Sequence, residues 1–200
     1  MYKIENKVDK MKIKYPFPNA RVYKKTSYKS QGMLFENGLN ITNEFYRINN
    51  KAIIYKKPTP IQVVRVDFPA RSKAKIIEAY YRTPSTTDYN GIYKGKYIDY
   101  EAKETSRKSF AFKHIFPHQI EHLKKVSEQG GIAFVLIYYK VVDEVYLIDI
   151  EVFYDLYQAG LAGGRKSIPV EKASEVGVLV KLGYTPPIDY LDAVDQYYFK

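Results

Sequence analysis

The 200-residue sequence predicts a mixed α/β domain, a central sheet flanked by helices with one protruding β-hairpin, and three observations carry that reading. Leu34, Phe35, Leu39, Ile41, Thr42, Phe45, Tyr46 and Ile48 recur at spacings of three and four, the period of one helix face, over about 32–49. Residues 96–104 alternate instead, with Ile98, Tyr100 and Ala102 on one side of a strand and Tyr97, Asp99, Glu101 and Lys103 on the other. A second helical stretch opens at Pro117, stops at Gly130 and Gly131, and is followed at once by the apolar run 132–139, which reads as a buried strand.

The remaining elements fall between these. Residues 1–31 carry nine Lys and Arg (Lys3, Lys7, Lys10, Lys12, Lys14, Arg21, Lys24, Lys25 and Lys29) against Glu5 and Asp9, with Pro16 and Pro18 breaking any helix, and are expected to form a mobile basic arm before a domain over 32–200. Strands are expected over 52–56, 61–68 and 74–82, separated by Pro58, Pro60 and Pro69. The last two read as the arms of the protruding hairpin, about 62–83. A second hairpin joins 89–93 to 96–104 through Lys94-Gly95. Strands over 132–139 and 144–150, a helix over 151–158, a glycine-rich basic loop at 163–166 and a last helix from 189 complete the chain.

Composition narrows the class of partner. Lys and Arg number 32 against 22 Asp and Glu, a formal charge of +10, which favours a polyanion. No apolar run approaches the roughly 20 residues that span a bilayer, the first residues lack the apolar core of a secretory signal, and there is no cysteine to form a disulfide, so the expected location is the cytoplasm. Twenty-one tyrosines and ten phenylalanines stand beside no tryptophan. Tyrosine can stack on bases, but most of these are expected in core or half-buried strand positions.

The stretch DYNGIYKGKYIDYEAK, 88–103, carries the chemistry. Glu101 and Lys103 share one strand face, the apolar set opposite gives the strand a core to pack on, and the charged set is left for a surface or cleft. Asp88, at the head of the partner strand, can reach across to Glu101. Two carboxylates converging on one point repel unless a cation lies between them, and partly hydrated oxygen ligands suit Mg²⁺, with Mn²⁺ as a substitute. A metal so held polarises a phosphodiester and activates water, and a lysine one pleat away adds positive charge where the transition state gains negative charge. The same alternation is also what a solvated strand face looks like, and the residues alone leave both readings open.

Longer words decide between them: KKPTPIQVV at 56–64, STTDYNGIYKGKYIDYEAKET at 85–105, HQIEH at 118–122, GRKSI at 164–168, and LGY at 182–184 ahead of Ile188, Asp189 and Tyr190. In this order, from about Tyr28 to the C-terminus, the chain resembles the RecU-type Holliday-junction resolvases of the PD-(D/E)-x-K nuclease superfamily. The resemblance implies a restriction-endonuclease-like core and a homodimer whose subunits nick opposed strands of a four-way DNA junction in recombination and repair. It implies metal ligation by Asp88 and Glu101 with Thr86 and Gln119, transition-state stabilisation by Lys103, and a further active-site glutamate at Glu36. The hairpin resembles the family's junction-inserting stalk, with Arg71 and Lys73 as basic stalk residues. Lys56, Lys57, Arg165 and Lys166 are further expected DNA contacts, and a strand-exchange recombinase and a branch-migration helicase are implied partners. One departure is Ser30-Gln31-Gly32-Met33, where the family commonly reads N-R-G-M, so an arginine contact at the helix start is absent.

Each implied role has a plainer alternative. Glu36 can face solvent, Gln119 can cap helix-start amides, Thr86 can shape a turn, and 163–166 can be an ordinary loop. Two rival functions remain. His118, Glu121 and His122 have the H-x-x-E-H spacing of an inverted zinc-protease helix, a five-residue pattern that leaves the charge and the 88–103 hairpin unexplained. A non-catalytic DNA-binding accessory protein would keep the charge without the cut. If phosphate contacts dominate, on the order of six to ten of them, then raising salt from about 50 to 200 mM weakens junction binding by roughly 10³ to 10⁵. A binding titration at three salt concentrations measures this, and a flat response contradicts it.

Overall fold

The computed structural model describes residues 35–82 and 86–199. The expected basic arm, 1–31, lies outside them. In chain order the elements are α1 (Phe35–Ile48), β1 (Ile53–Lys56), β2 (Ile61–Asp67), β3 (Lys75–Tyr81), β4 (Tyr89–Tyr93), β5 (Lys96–Thr105), β6 (Ser109–Ala111), α2 (Pro117–Glu128), β7 (Ile132–Tyr139), β8 (Glu144–Asp149), α3 (Ile150–Leu161), β9 (Ser167–Pro169), α4 (Val170–Val176), β10 (Val178–Leu182), β11 (Ile188–Asp189) and α5 (Tyr190–Tyr198).

Seven strands form one mixed sheet in the order β1-β4-β5-β7-β8-β10-β11. β5 pairs antiparallel with β4 and parallel with β7, so the chain must cross over between β5 and β7, and α2 lies within that crossover. The sheet is buried on both faces. On one, Ile98 and Tyr100 of β5, Phe134 and Leu136 of β7 and Leu147 of β8 pack with Leu39 and Tyr46 of α1 and Leu191 and Val194 of α5. On the other, Val135, Ile137 and Ile148 pack with Ile120 and Leu123 of α2, Phe153 of α3 and Ala173 of α4. The run 132–139 shows no alternation because a central strand between two helical layers has no wet face.

Many of the tyrosines serve this core. Tyr100 lies between Tyr89, ring centroids 4.9 Å apart at 11°, and Phe134, 5.0 Å at 8°, with Tyr190 tilted against it at 5.0 Å. Such pairs contribute about 0.5–1.5 kcal/mol each beyond their area. Their buried hydroxyls are satisfied: Asn43 Nδ2 donates to the Tyr100 hydroxyl at 3.1 Å, and the Tyr190 hydroxyl donates to Asn43 Oδ1. Turns follow their residues. Lys94 and Gly95, at φ of 48° and 77°, form the two-residue reversal between β4 and β5, and Gly130, at 81°, ends α2.

The expected hairpin is present, with β2 and β3 paired antiparallel from Ile61↔Tyr81 to Asp67↔Lys75 and a register irregularity around Val63 to Val66. These two strands form a sheet of their own, and every residue of β2 is exposed. β6 and β9, α4, β10 and β11 are additions to the expected elements. They are short, and their pairings join distant parts of the chain, such as Phe110 to Ile168, which leaves no local periodicity. Because the hairpin shares no ladder with the body, replacing 62–80 by a short Gly-Ser turn is expected to move the melting temperature of the domain by no more than about 2 °C. Thermal denaturation followed by circular dichroism reads this, and a fall of ten degrees would place the hairpin in the core.

Candidate active site

β5 presents opposite chemistries on its two faces. Tyr100 is drawn into the aromatic layer, which turns Asp99 and Glu101 to the α2 side, and both of these side chains are wholly buried. The expected surface or cleft is therefore covered at this point, because α2 is laid over the charged face. Lys103, 22% exposed, places Nζ 2.5 Å from Glu101 Oε1, yet neither carboxylate oxygen of Glu101 receives a hydrogen bond in acceptable geometry.

Asp88 sits just before β4, where the Tyr89↔Tyr100 pairing brings it alongside β5, and its Oδ2 accepts the Ala102 N–H at 3.1 Å. Desolvation first, and then the Asp88 charge, push the Glu101 carboxyl up from its ordinary value near 4.5 to about 7, with Lys103 opposing the rise. Asp88, Glu101 and Lys103 are thus brought together as the sequence predicts.

The other expected residues are placed differently. Thr86 is exposed, and its Oγ1 accepts from Lys57 Nζ at 3.1 Å. Gln119 is buried in the first turn of α2, and its Oε1 accepts the Phe116 N–H at 3.1 Å, a helix-start contact. Glu36, in the first turn of α1, pairs with Lys56 at 2.5 Å and shares a groove with Phe35, Asp88, Tyr89, Ala102 and Glu104. Arg71 and Lys73 are exposed at the turn between β2 and β3. Arg165 and Lys166 are exposed in a loop fastened by the Lys166 carbonyl to the Phe112 N–H at 3.1 Å.

Lys57 is not an outward cation. Its side chain is 14% exposed and its ammonium donates to Asp99 Oδ2 at 2.7 Å and to the hydroxyls of Thr86 and Thr87. His122 Nε2 lies 3.0 Å from the same Asp99 oxygen, which commits that histidine away from a zinc-protease arrangement. Sequence reasoning missed Asp99 as more than one member of an alternating face, although an acidic residue two before Glu101 on a strand must share its side.

The donor set fits a hard cation. Two carboxylates stand together, Glu101 buried and Asp88 half-buried, and neither Glu101 oxygen accepts a hydrogen bond in acceptable geometry, an arrangement that a cation or a proton must relieve. Among the described residues no group of three or more His, Cys, Asp and Glu could hold a metal, so neutral oxygens such as those of Thr86 and Gln119, and water, would have to complete the shell.

A carboxyl whose folded pKa lies above its unfolded value keeps a proton that the unfolded chain has lost. Stability from Glu101 is therefore fully present below about pH 4.5 and is lost as pH rises towards and through about 7, a contribution on the order of 3 kcal/mol. In metal-free buffer at pH 8, Glu101→Gln is expected to melt several degrees above the parent, with the gap closing at pH 5. Equal melting temperatures at both pH values would refute the strain at Glu101.

Two comparisons with known proteins bear on this site. The family model described as "Recombination protein U" matches residues 30–196. Proteins named "Holliday junction resolvase RecU" from Bacillus cereus (strain AH820), Bacillus anthracis (strain CDC 684 / NRRL 3495) and Bacillus thuringiensis subsp. konkukian (strain 97-27) are each 50% identical over 183 residues, covering 91% of this chain and 92% of theirs. Among the described residues no helix is long and apolar enough to cross a membrane. With that coverage, and with Asp88, Glu101 and Lys103 gathered at one point, the chain belongs to the RecU family of Holliday-junction resolvases.

Proposed function

We propose that this chain is a Mg²⁺-dependent endonuclease that nicks opposed strands of four-way DNA junctions, working as a homodimer in the cytoplasm. The observation that carries the reading is the meeting of Asp88, just before β4, with Glu101 and Lys103 of β5 in a chain matched over 91% of its length by resolvases. Mn²⁺ has the same ligand preference and would substitute.

Asp88 and Glu101 would hold the metal, with Thr86 and Gln119 supplying neutral oxygens once released from their contacts with Lys57 and Phe116. When bound, the metal supplies Lewis acidity at the scissile phosphate. Lys103 pairs with Glu101 in the resting enzyme and in this reading would orient the attacking water or stabilise the charge that builds on the phosphate. Glu36, across the shared groove from Asp88, is held by Lys56 and contributes a further carboxylate at the edge of the site. Arg71, Lys73, Lys56, Arg165 and Lys166 contact phosphates, and the β2–β3 hairpin acts as a stalk entering the junction centre. A strand-exchange recombinase and a branch-migration helicase are the proposed partners.

Binding and cutting make opposed electrostatic demands on the carboxylates. Without metal, Asp88 and Glu101 repel a phosphate, so Asp88→Ala and Glu101→Ala are expected to abolish cleavage in Mg²⁺ and to bind a synthetic junction as tightly as the parent or slightly tighter. Lys103→Ala keeps the ligands and loses a charge that acts mainly in the transition state. It is expected to cut roughly 10² to 10³ times more slowly with a modest loss of affinity. Gel-shift and nicking assays on one labelled four-way junction, with linear duplex as control, separate these outcomes. Joint loss of binding and cleavage in all three variants would make the residues structural, and cutting by Glu101→Ala in Mg²⁺ would overturn the site.

A further inference from the structure

We infer that Asp99 is a positioning residue that sets the metal-binding geometry of the site by tying together the three chain segments that carry its ligands. The inference rests on Asp88 and Glu101 being the metal-holding carboxylates, and it goes beyond them to a residue that does not itself face the metal.

Asp99 is a carboxylate with no exposed surface, and such a group is stable only when donors surround it. Four do, and each comes from a different place. Lys57, in the connection after β1, donates to Oδ2 at 2.7 Å; Tyr97, on β5 itself, donates to Oδ2 at 2.9 Å; Thr87 donates to Oδ1; and His122, on α2, meets Oδ2 at 3.0 Å.

These donors are the neighbours of the ligands. Thr87 stands between Thr86 and Asp88. Lys57 holds that same segment three times more, through its ammonium on the Thr86 hydroxyl at 3.1 Å and on the Thr87 hydroxyl, and through its backbone N–H on the Asp88 carbonyl at 2.8 Å. His122 lies three residues after Gln119, on the same side of α2 to within about 60° at 100° per residue. Asp99 is two residues before Glu101 on the same face of β5.

A core without this purpose would have no use for the arrangement. An apolar residue at 99 would pack under α2 without bringing a lysine inward, and buried ion pairs are commonly replaceable by apolar groups with no loss of stability. What an apolar residue cannot do is fix the relative placement of β5, the 86–88 segment and α2 to the few tenths of an ångström that an octahedral metal site demands. Lys57 also keeps the 86–88 segment near its ligand position before metal arrives, so less ordering remains to be done on binding.

The test measures metal directly. Mn²⁺ binding to the full chain is followed by the electron paramagnetic resonance signal of free Mn²⁺, alongside the Mg²⁺ concentration giving half-maximal junction nicking and metal-free junction binding by gel shift. Asp99→Asn keeps the shape and removes the charge. It is expected to raise the Mn²⁺ dissociation constant and the half-maximal Mg²⁺ by about 10- to 100-fold, with nicking largely recovered at saturating metal and metal-free junction binding changed by no more than about twofold.

His122→Gln, at a partly exposed position, is expected to give a smaller shift in the same direction, and it decides the matter if Asp99→Asn does not fold. Glu101→Gln is the control. If it loses Mn²⁺ while a folded Asp99→Asn or, failing that, His122→Gln binds Mn²⁺ like the parent, the positioning role is overturned and the site stands. If Glu101→Gln binds Mn²⁺ unchanged, the site assignment fails and this inference fails with it.

Discussion

Glu101 carries no exposed surface, accepts no well-formed hydrogen bond and lies beside a second carboxylate, and much of the surrounding structure is arranged to tolerate it. Burying such a group is unfavourable unless a cation compensates, and Lys103 is the resident one. The strain is held because β5 cannot move. Its opposite face is locked by Tyr100 between Tyr89 and Phe134, its register to β7 runs over eight residue pairs, and α2 closes the charged side. A rigid apolar layer on one face of a strand thus maintains an unfavourable polar layer on the other, which is how a scaffold keeps charged groups ready for a ligand.

The charge of the chain acts in two separate ways. Near the site, lysines meet carboxylates: Lys103 with Glu101, Lys57 with Asp99, Lys56 with Glu36. These pairs leave little net positive field at the chemistry. Exposed cations lie elsewhere, on the hairpin at Arg65, Arg71, Lys73 and Lys75, and in the loop at Arg165 and Lys166. Exposed positive charge is therefore concentrated at the periphery, away from the carboxylates of β5.

Much of the fold was legible along the chain because its signals are local. The helix over Phe35–Ile48, the reversal at Lys94 and Gly95, the stop at Gly130 and the strand over Ile132–Tyr139 each follow from periodicity or from a residue able to take positive φ. The hairpin over 61–81 was marked out by its flanking prolines. The meeting of Asp88, Glu101 and Lys103 was legible too, since alternation puts Glu101 and Lys103 on one face and a two-residue turn brings Asp88 back beside them.

Other features depended on contacts between residues far apart in sequence. Nothing local marks Ser109–Ala111 and Ser167–Pro169 as strands, since each acquires that form by pairing with the other. Asp99, Lys57 and His122 look like ordinary surface charges until α2 crosses over β5 and shuts water out. Which residue types could serve the chemistry was settled by composition and spacing, because side-chain direction in a strand follows from covalent geometry. Which of them are buried, and which cation faces inward rather than towards DNA, was settled by packing, because desolvation exists only once distant segments have met.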